Sequence, residues 1–369
     1  VAIVAASADL IGGQSVEAVL LEKALREDGC EVSYVPVNPV LPRSLRWVRR
    51  FKAARTLVNL MFFLPTLRRL GGCDVVHVFS ASYWSFLLAP APAMMAGRLF
   101  SKRVVLHYHS GEAADHLANW GWAIHPFLRL PHTIVVPSSY LGEIFDEYGH
   151  PTCIIRNFIE PGAFPYRERT VLRPHLVSIR NFEPHYGVET VLHAFAVVRA
   201  RFPEATLTIV GAGSEDRELR ELAGTMGGGV QFLGQLKPDQ IPSVLADADV
   251  FLNASVVDNQ PLSILEAFAA GLPVVSTSTG AIAEMIRDRR TGLLVKANDP
   301  RAMAAAVCEL LERQEWAGDL ARRARSETER YVWSAVRCAW AKVYGSKALS
   351  QPRIGAMPSG SASFSGSDR

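Results

Sequence analysis

The chain has 369 residues, enough for two domains that each bury a core. With 49% hydrophobic and 20% charged residues it reads as globular, and a net charge of +3, all of it arising before residue 171, is too small to argue for a nucleic-acid partner. Five scattered cysteines (Cys30, Cys73, Cys153, Cys308 and Cys338) have no paired spacing for zinc or redox chemistry, which suits free thiols in a reducing cytoplasm. No apolar run reaches the roughly 18–20 residues of a membrane span. Residues 1–10 read as a strand with no charged region ahead of it, so no signal peptide is expected.

Short β-branched runs alternate with helical patterns along the chain. The first half gives strands at Val1–Ala6, Glu31–Val37, Asp74–Phe79, Arg103–His109, Thr133–Pro137 and Cys153–Arg156. Gly12-Gly13 follows the first strand and precedes a helical pattern over Ser15–Arg26; glycines there let a ligand approach the backbone closely, or simply make a turn. The stretch Arg43–Arg55 holds six Arg/Lys and no acid, with apolar residues Leu57–Leu67 and then Arg68-Arg69 behind it. As a helix, Arg43–Arg69 suits an anionic membrane surface, or a solvated helix packed on its domain. The second half repeats the alternation at Leu176–Ile179, Thr206–Val210, Val230–Leu233, Val250–Asn253, Pro273–Ser276 and Gly292–Val295. Two such series predict two doubly wound, Rossmann-like parallel sheets, residues 1–168 and 169–330, with the break among the prolines of Pro161–Pro174. Residues 331–348 read as a last amphipathic helix, and residues 349–369, rich in Ser, Gly and Pro, as a disordered tail.

Asn253–Glu284 is the most informative stretch. It reads as strand end, loop, short helix, tight stop and strand. Asp258 and Asn259 are cap-type residues, Pro261 suits a first helical turn, and Gly271 followed by Pro273 ends the helix. The N-terminus of such a helix offers free N–H groups and a positive dipole end to a phosphate. Asp258 before the helix and Glu266 within it then hold sugar hydroxyls on either side of that phosphate, or serve only as a cap and a surface carboxylate. Asp247-Ala248-Asp249 precedes a buried strand and is read as capping and surface charge, not a metal site. No other His/Cys/Asp cluster argues for a metal.

Asp258, Glu266, Ala267, Ala269, Gly271, Pro273, Val274, Val275, Gly280 and Glu284 together resemble the signature of the retaining family-4 glycosyltransferases. The resemblance runs in the family's order from Gly12-Gly13 to the terminal helix. It implies the GT-B fold, two wound domains facing each other across a cleft, the first for the acceptor and the second for a nucleoside-diphosphate sugar. His109, ahead of Ser110-Gly111, resembles the family's strand-end His that approaches the transferring sugar; His107, on the same strand face, is read as core or as a support behind His109. Arg180 in Leu176–Gly187 matches the family's diphosphate-gripping Arg. The resemblance also places Gly12, Gly13, Gly213, Gly234, Gln235, Leu236 and the amides of Leu262 and Ser263 beside the donor. The last helix is implied to cross back onto the first domain. Three departures stand out: Asp258 where a Glu is usual, Ala281 for a second Gly, and Tyr186 for the Lys before Gly187.

The resemblance therefore implies retaining, metal-independent transfer of a sugar to a saccharide or lipid-linked acceptor, without a cofactor, in the cytoplasm or on its membrane face. Two rivals share the fold. One is a nucleotide-sugar-binding protein whose activity has decayed, which Tyr186 would suit; the other is a GT-B epimerase. A phosphorylase would need a pyridoxal-binding lysine, for which Lys237 and Lys296 have no convincing setting.

Overall fold

The computed structural model describes residues 1–7, 12–38, 52–80 and 82–345, with only the backbone of 52–55. Twelve strands form among them: β1 (Ala2–Ala5), β2 (Ser33–Pro36), β3 (Val75–Phe79), β4 (Arg103–His107), β5 (Thr133–Val136), β6 (Thr152–Ile154), β7 (His175–Ile179), β8 (Thr206–Val210), β9 (Val230–Gly234), β10 (Val250–Asn253), β11 (Val274–Thr277) and β12 (Leu293–Val295). Each overlaps a strand expected from the sequence, because β-branched runs between helical segments have few other ways to bury both faces. Six strands make each sheet, in the orders β2-β1-β3-β4-β5-β6 and β12-β11-β10-β7-β8-β9, and every paired neighbour is parallel. Strand order reverses between β1 and β3 in the first sheet and between β7 and β10 in the second. Ligands of open parallel sheets bind at the carboxyl ends of such strands.

Alternation along each strand feeds two core layers per sheet. Ala2 and Val4 join one cluster with Val76 and Val78, while Ile3 and Ala5 join the opposite one with Val75 and Phe79. The second cluster also takes Val336, Trp340, Val343 and Tyr344 from the last described helix, Trp333–Tyr344. That helix is tied down where Trp333 Nε1 and Arg337 Nε both donate to Asp28 Oδ2, each at 2.7 Å. The chain thus ends its described course against the first sheet. Between β6 and β7, Phe158 packs with the first domain and Ile159 with the second.

Two local expectations are corrected. Asp258 and Asn259 do not cap the Leu262–Ala269 helix: Pro261, extended at ψ 120, is its N-cap residue, with no side-chain cap bond. Asp249 is no surface charge. It is fully buried, with Arg167 at 2.5 Å, Arg173 at 2.7 Å and Arg169 at 3.5 Å around its carboxylate. The acid stands just before the fully buried β10, and the linker between the domains delivers the cations, which a local pattern does not show. Residues 43–51 of the basic stretch, the last three residues of the expected helix 331–348 and the tail 349–369 lie outside the described residues.

Candidate active site

A cavity of about 500 Å³ opens between the two sheets at their carboxyl ends. Gly12, Gly13 and His109 line it from the first domain; Arg180, Gln235, Leu236, Asp258, Leu262, Ser263 and Glu266 line it from the second. Two residues named from the sequence lie outside the lining. Gly213 packs against the backbone of Phe182, and Gly234 closes β9, its carbonyl accepting the Gly211 N–H at 2.9 Å. Gly211, not Gly213, reaches the cavity from the turn after β8.

Arg180 leaves the end of β7 and organises the floor. Its Nε donates to Asn253 Oδ1 at 2.7 Å, and a terminal nitrogen pairs with Asp258 Oδ2; the two charged side chains are 11% exposed. Asn253 is itself fixed, donating to Ser276 Oγ at 2.9 Å and accepting from Ser255 Oγ at 3.0 Å. Arg180 also lies 5.2 Å from the centre of the Tyr186 ring, a cation–π contact. Tyr186 therefore lies against the guanidinium, and among the described lining residues Arg180 is the one arginine or lysine.

Two glycines hold the charged pair in register. Gly280 has φ 52, and a Cβ there would stand 1.8 Å from the Asp258 carbonyl; Gly211 has φ 147, and a Cβ there would stand 1.8 Å from the Arg180 carbonyl. Only a residue without a side chain permits either approach.

The Leu262–Ala269 helix begins at the cavity wall. Among its first amides, Ile264 N–H is taken by Pro261 O at 3.2 Å, leaving those of Leu262 and Ser263 as the unsatisfied donors of a helix start. Among the described residues Ser263 Oγ is buried with no partner, and so are His109 Nε2, Asn157 Oδ1 and Asn259 Nδ2, all on cavity-lining residues. Four stranded polar atoms around one space mark a place where a polar ligand completes the hydrogen bonding. Asn157 carries no sequence signal and Asn259 reads only as a cap-type residue, since their importance comes from bridging the domains. Asn157 donates its N–H to Gln260 Oε1 at 2.6 Å and its amide to Gln260 O at 3.0 Å, and Ser138 Oγ donates to Asn259 Oδ1. Glu284 adds a further bridge, accepting the N–H groups of Ser139 at 3.2 Å and Tyr140 at 2.8 Å at the start of a first-domain helix.

Electrostatics separate the roles available to the titratable groups. Burial pushes Glu266 up to about 7, opposed by the Arg180 charge. Burial pushes His109 down to about 3, so its imidazole is neutral and acts as a hydrogen-bonding group, not a cation. The ring stacks on Phe79 at 5.3 Å and lies 3.9 Å from that of His107, which is itself buried and joined to His77 at 3.3 Å. This aromatic bed sets the orientation of His109.

Two facing wound sheets with an anion-ready helix start, a fixed guanidinium and two carboxylates between them define a GT-B glycosyltransferase. Comparison with known proteins agrees. Residues 11–162 match the family model Glycosyltransferase Family 4, and residues 173–313 match Glycosyl transferases group 1. The phosphatidyl-myo-inositol mannosyltransferase of Mycolicibacterium smegmatis is 28% identical over 92% of this chain and 91% of its own. A Mycobacterium tuberculosis glycogen synthase is 29% identical over 73% of this chain and 68% of its own. Among solved structures, Anabaena HepE with UDP-glucose superposes with a TM-score of 0.72 at 17% identity, covering 93% of this chain and 99% of that one. The chain belongs to the family-4 glycosyltransferases.

Proposed function

We propose that the chain transfers a sugar, with retention and without a metal, from a nucleoside-diphosphate sugar to a saccharide or lipid-linked acceptor. The observation that carries this reading is the convergence of Arg180, Asp258 and the open amides of Leu262 and Ser263 on one cavity. The diphosphate sits at the helix start, where amides and guanidinium offset the charge that grows on it as the glycosidic bond breaks. Glu266 accepts the ribose hydroxyls, and Asp258 accepts hydroxyls of the donor sugar. Neutral His109 hydrogen-bonds that sugar from the facing domain. Among the described residues no side chain is placed as a covalent nucleophile, so the acceptor attacks from the side the diphosphate leaves, which preserves the anomeric configuration. A nucleotide-sugar donor is also supported by the bound UDP-glucose of the structurally similar HepE.

The cavity is open to solvent, and drawing the domains together around a donor would exclude water that otherwise hydrolyses it. For a lipid-linked acceptor, support comes from exposed apolar side chains on and beside the Lys52–Phe63 helix. Leu57 is 60% and Met61 64% exposed, with Arg68 and Arg69 following. Flotation with anionic vesicles tests this surface; absence of binding at low salt removes the lipid side of the reading. The transfer itself is tested by proton NMR of the product formed from each candidate nucleotide sugar. An inverted anomeric centre contradicts the mechanism, and full activity of Asp258→Ala contradicts the assignment of that carboxylate.

A further inference from the structure

Beside the donor cavity, on the first domain, lies a cluster that the proposed reaction leaves unused. Tyr83 follows β3 with φ 55 and ψ −131, a conformation a side-chain-bearing residue adopts only when held. The hold is visible: Tyr83 N–H donates to His116 Nε2 at 2.9 Å, and His116 Nδ1 lies 2.8 Å from the Tyr108 hydroxyl. Because Nε2 accepts, Nδ1 carries the proton and donates to Tyr108. Both His116 and Tyr108 are fully buried. Burial lowers His116 to about 4, so the neutral tautomer needed for this bond is the one present at neutral pH.

The strained residue fixes what surrounds it. The Tyr83 hydroxyl donates to Asp115 Oδ2 at 2.6 Å, and Asn119 Nδ2 donates to Asp115 Oδ1 at 2.7 Å. Trp84 meets Trp120 edge to face, ring centres 5.1 Å apart at 84°, and remains 66% exposed. The helix bearing Asp115, Asn119 and Trp120 starts directly after Glu112, a cavity-lining residue whose charge acts on both Tyr83 and Tyr186. The cluster therefore stands at the rim of the donor cavity, on the acceptor's side.

We propose that Tyr83, Trp84, Asp115, Asn119 and Trp120 form a platform for a pyranose ring of the acceptor, a subsite that rests on the glycosyltransferase reading above. A pyranose presents one face of weakly positive C–H bonds and an edge of hydroxyls. The negative face of an indole attracts the first, and a fixed carboxylate–amide pair receives the second. Trp84 supplies the indole, and Asp115 with Asn119, one turn apart on the neighbouring helix whose Trp120 touches Trp84, supplies the polar edge. A lipid surface would be poorly served here, since anionic headgroups repel Asp115. The apolar Leu99 and Phe100 that suit lipid instead precede β4, at the opposite end of the strands from Trp84, which follows the neighbouring β3.

Saturation-transfer NMR tests the platform, irradiating protein aromatic protons in the presence of methyl α-D-mannopyranoside, methyl α-D-glucopyranoside and, separately, UDP, GDP and ADP. The wild-type chain should transfer saturation to the ring protons of at least one glycoside. Trp84→Ala should lower that signal roughly fivefold, the loss of one aromatic contact, and Trp84→Tyr should keep part of it. Trp122→Ala, 83% exposed on the helix that carries Asp115, should change nothing. In every variant the nucleotide signal should stay at the wild-type level, which also shows the fold is intact. Absence of a glycoside signal from the wild type, or a signal unchanged in Trp84→Ala, overturns the platform. Loss of binding to phosphatidylglycerol vesicles in Trp84→Ala with an unchanged glycoside signal assigns the surface to lipid and overturns it as well. A glycoside signal sensitive to Trp84 without any nucleotide signal supports the platform while removing the donor reading.

Discussion

Glu266 lets the donor site be interrogated with pH alone. Its carboxyl, raised from an ordinary 4.5 to about 7 by burial, faces the space assigned to the ribose. If the ionised form accepts the ribose hydroxyls, the apparent dissociation constant of the nucleotide scales with the fraction of free protein that has lost this proton. About one molecule in ten is ionised at pH 6 and nine in ten at pH 8, so binding tightens roughly ninefold across that range. The stability consequence has the opposite sign. The folded protein keeps the proton between about 4.5 and 7 whereas the unfolded chain gives it up, so this group's contribution to stability falls as pH rises through that window, by about 3 kcal/mol in all. Glu266→Gln removes the desolvated charge. It should therefore bind nucleotide weakly with no pH dependence, yet be more stable than the wild type above pH 7. Isothermal titration with the preferred nucleoside diphosphate at pH 6, 7 and 8, alongside urea midpoints, reads both quantities. Wild-type binding that is flat with pH, or that weakens as pH rises, refutes the assignment of Glu266 to the ribose.

Gly280→Ala should lower the transfer rate by about 100-fold, because its Cβ would stand 1.8 Å from the Asp258 carbonyl and must displace that loop by around an ångström; a steady-state rate within threefold of wild type contradicts this. Asp249→Ala removes the buried partner of three arginines and should cost about 3–5 kcal/mol, read as a fall in urea midpoint, while a change below about 1 kcal/mol would show the cluster to be self-sufficient.

The twelve strands and the helix at Leu262 were legible because parallel sheets need apolar runs of a set length, and because Pro261, Gly271 and Pro273 punctuate the chain by fixed backbone geometry. Strand-end positions such as His109, Arg180 and Asp258 were legible for the same reason, since wound sheets bring those ends to one crevice. What local pattern omits is long-range pairing. Nothing around Asp249 announces arginines some 80 residues earlier in the chain, and nothing around Asn157 announces Gln260. Tyr186 reads in sequence as a missing cation; only the fold shows its ring against Arg180. Gly213, in the turn after β8, and Gly234, the last residue of β9, lie outside the cavity lining while their neighbours Gly211 and Gln235 belong to it, a difference of one or two residues that backbone direction decides.

A thermal-shift screen of UDP-, GDP- and ADP-sugars against the wild type and Arg180→Ala, run side by side, tests most directly whether the inter-domain cavity holds a diphosphate. One nucleotide series at about 100 times its dissociation constant should stabilise the wild type by roughly 2.7 kcal/mol, seen as a clear rise in Tm, and should leave Arg180→Ala almost unmoved. Equal rises in both proteins, or none in the wild type with any of the three series, would contradict it.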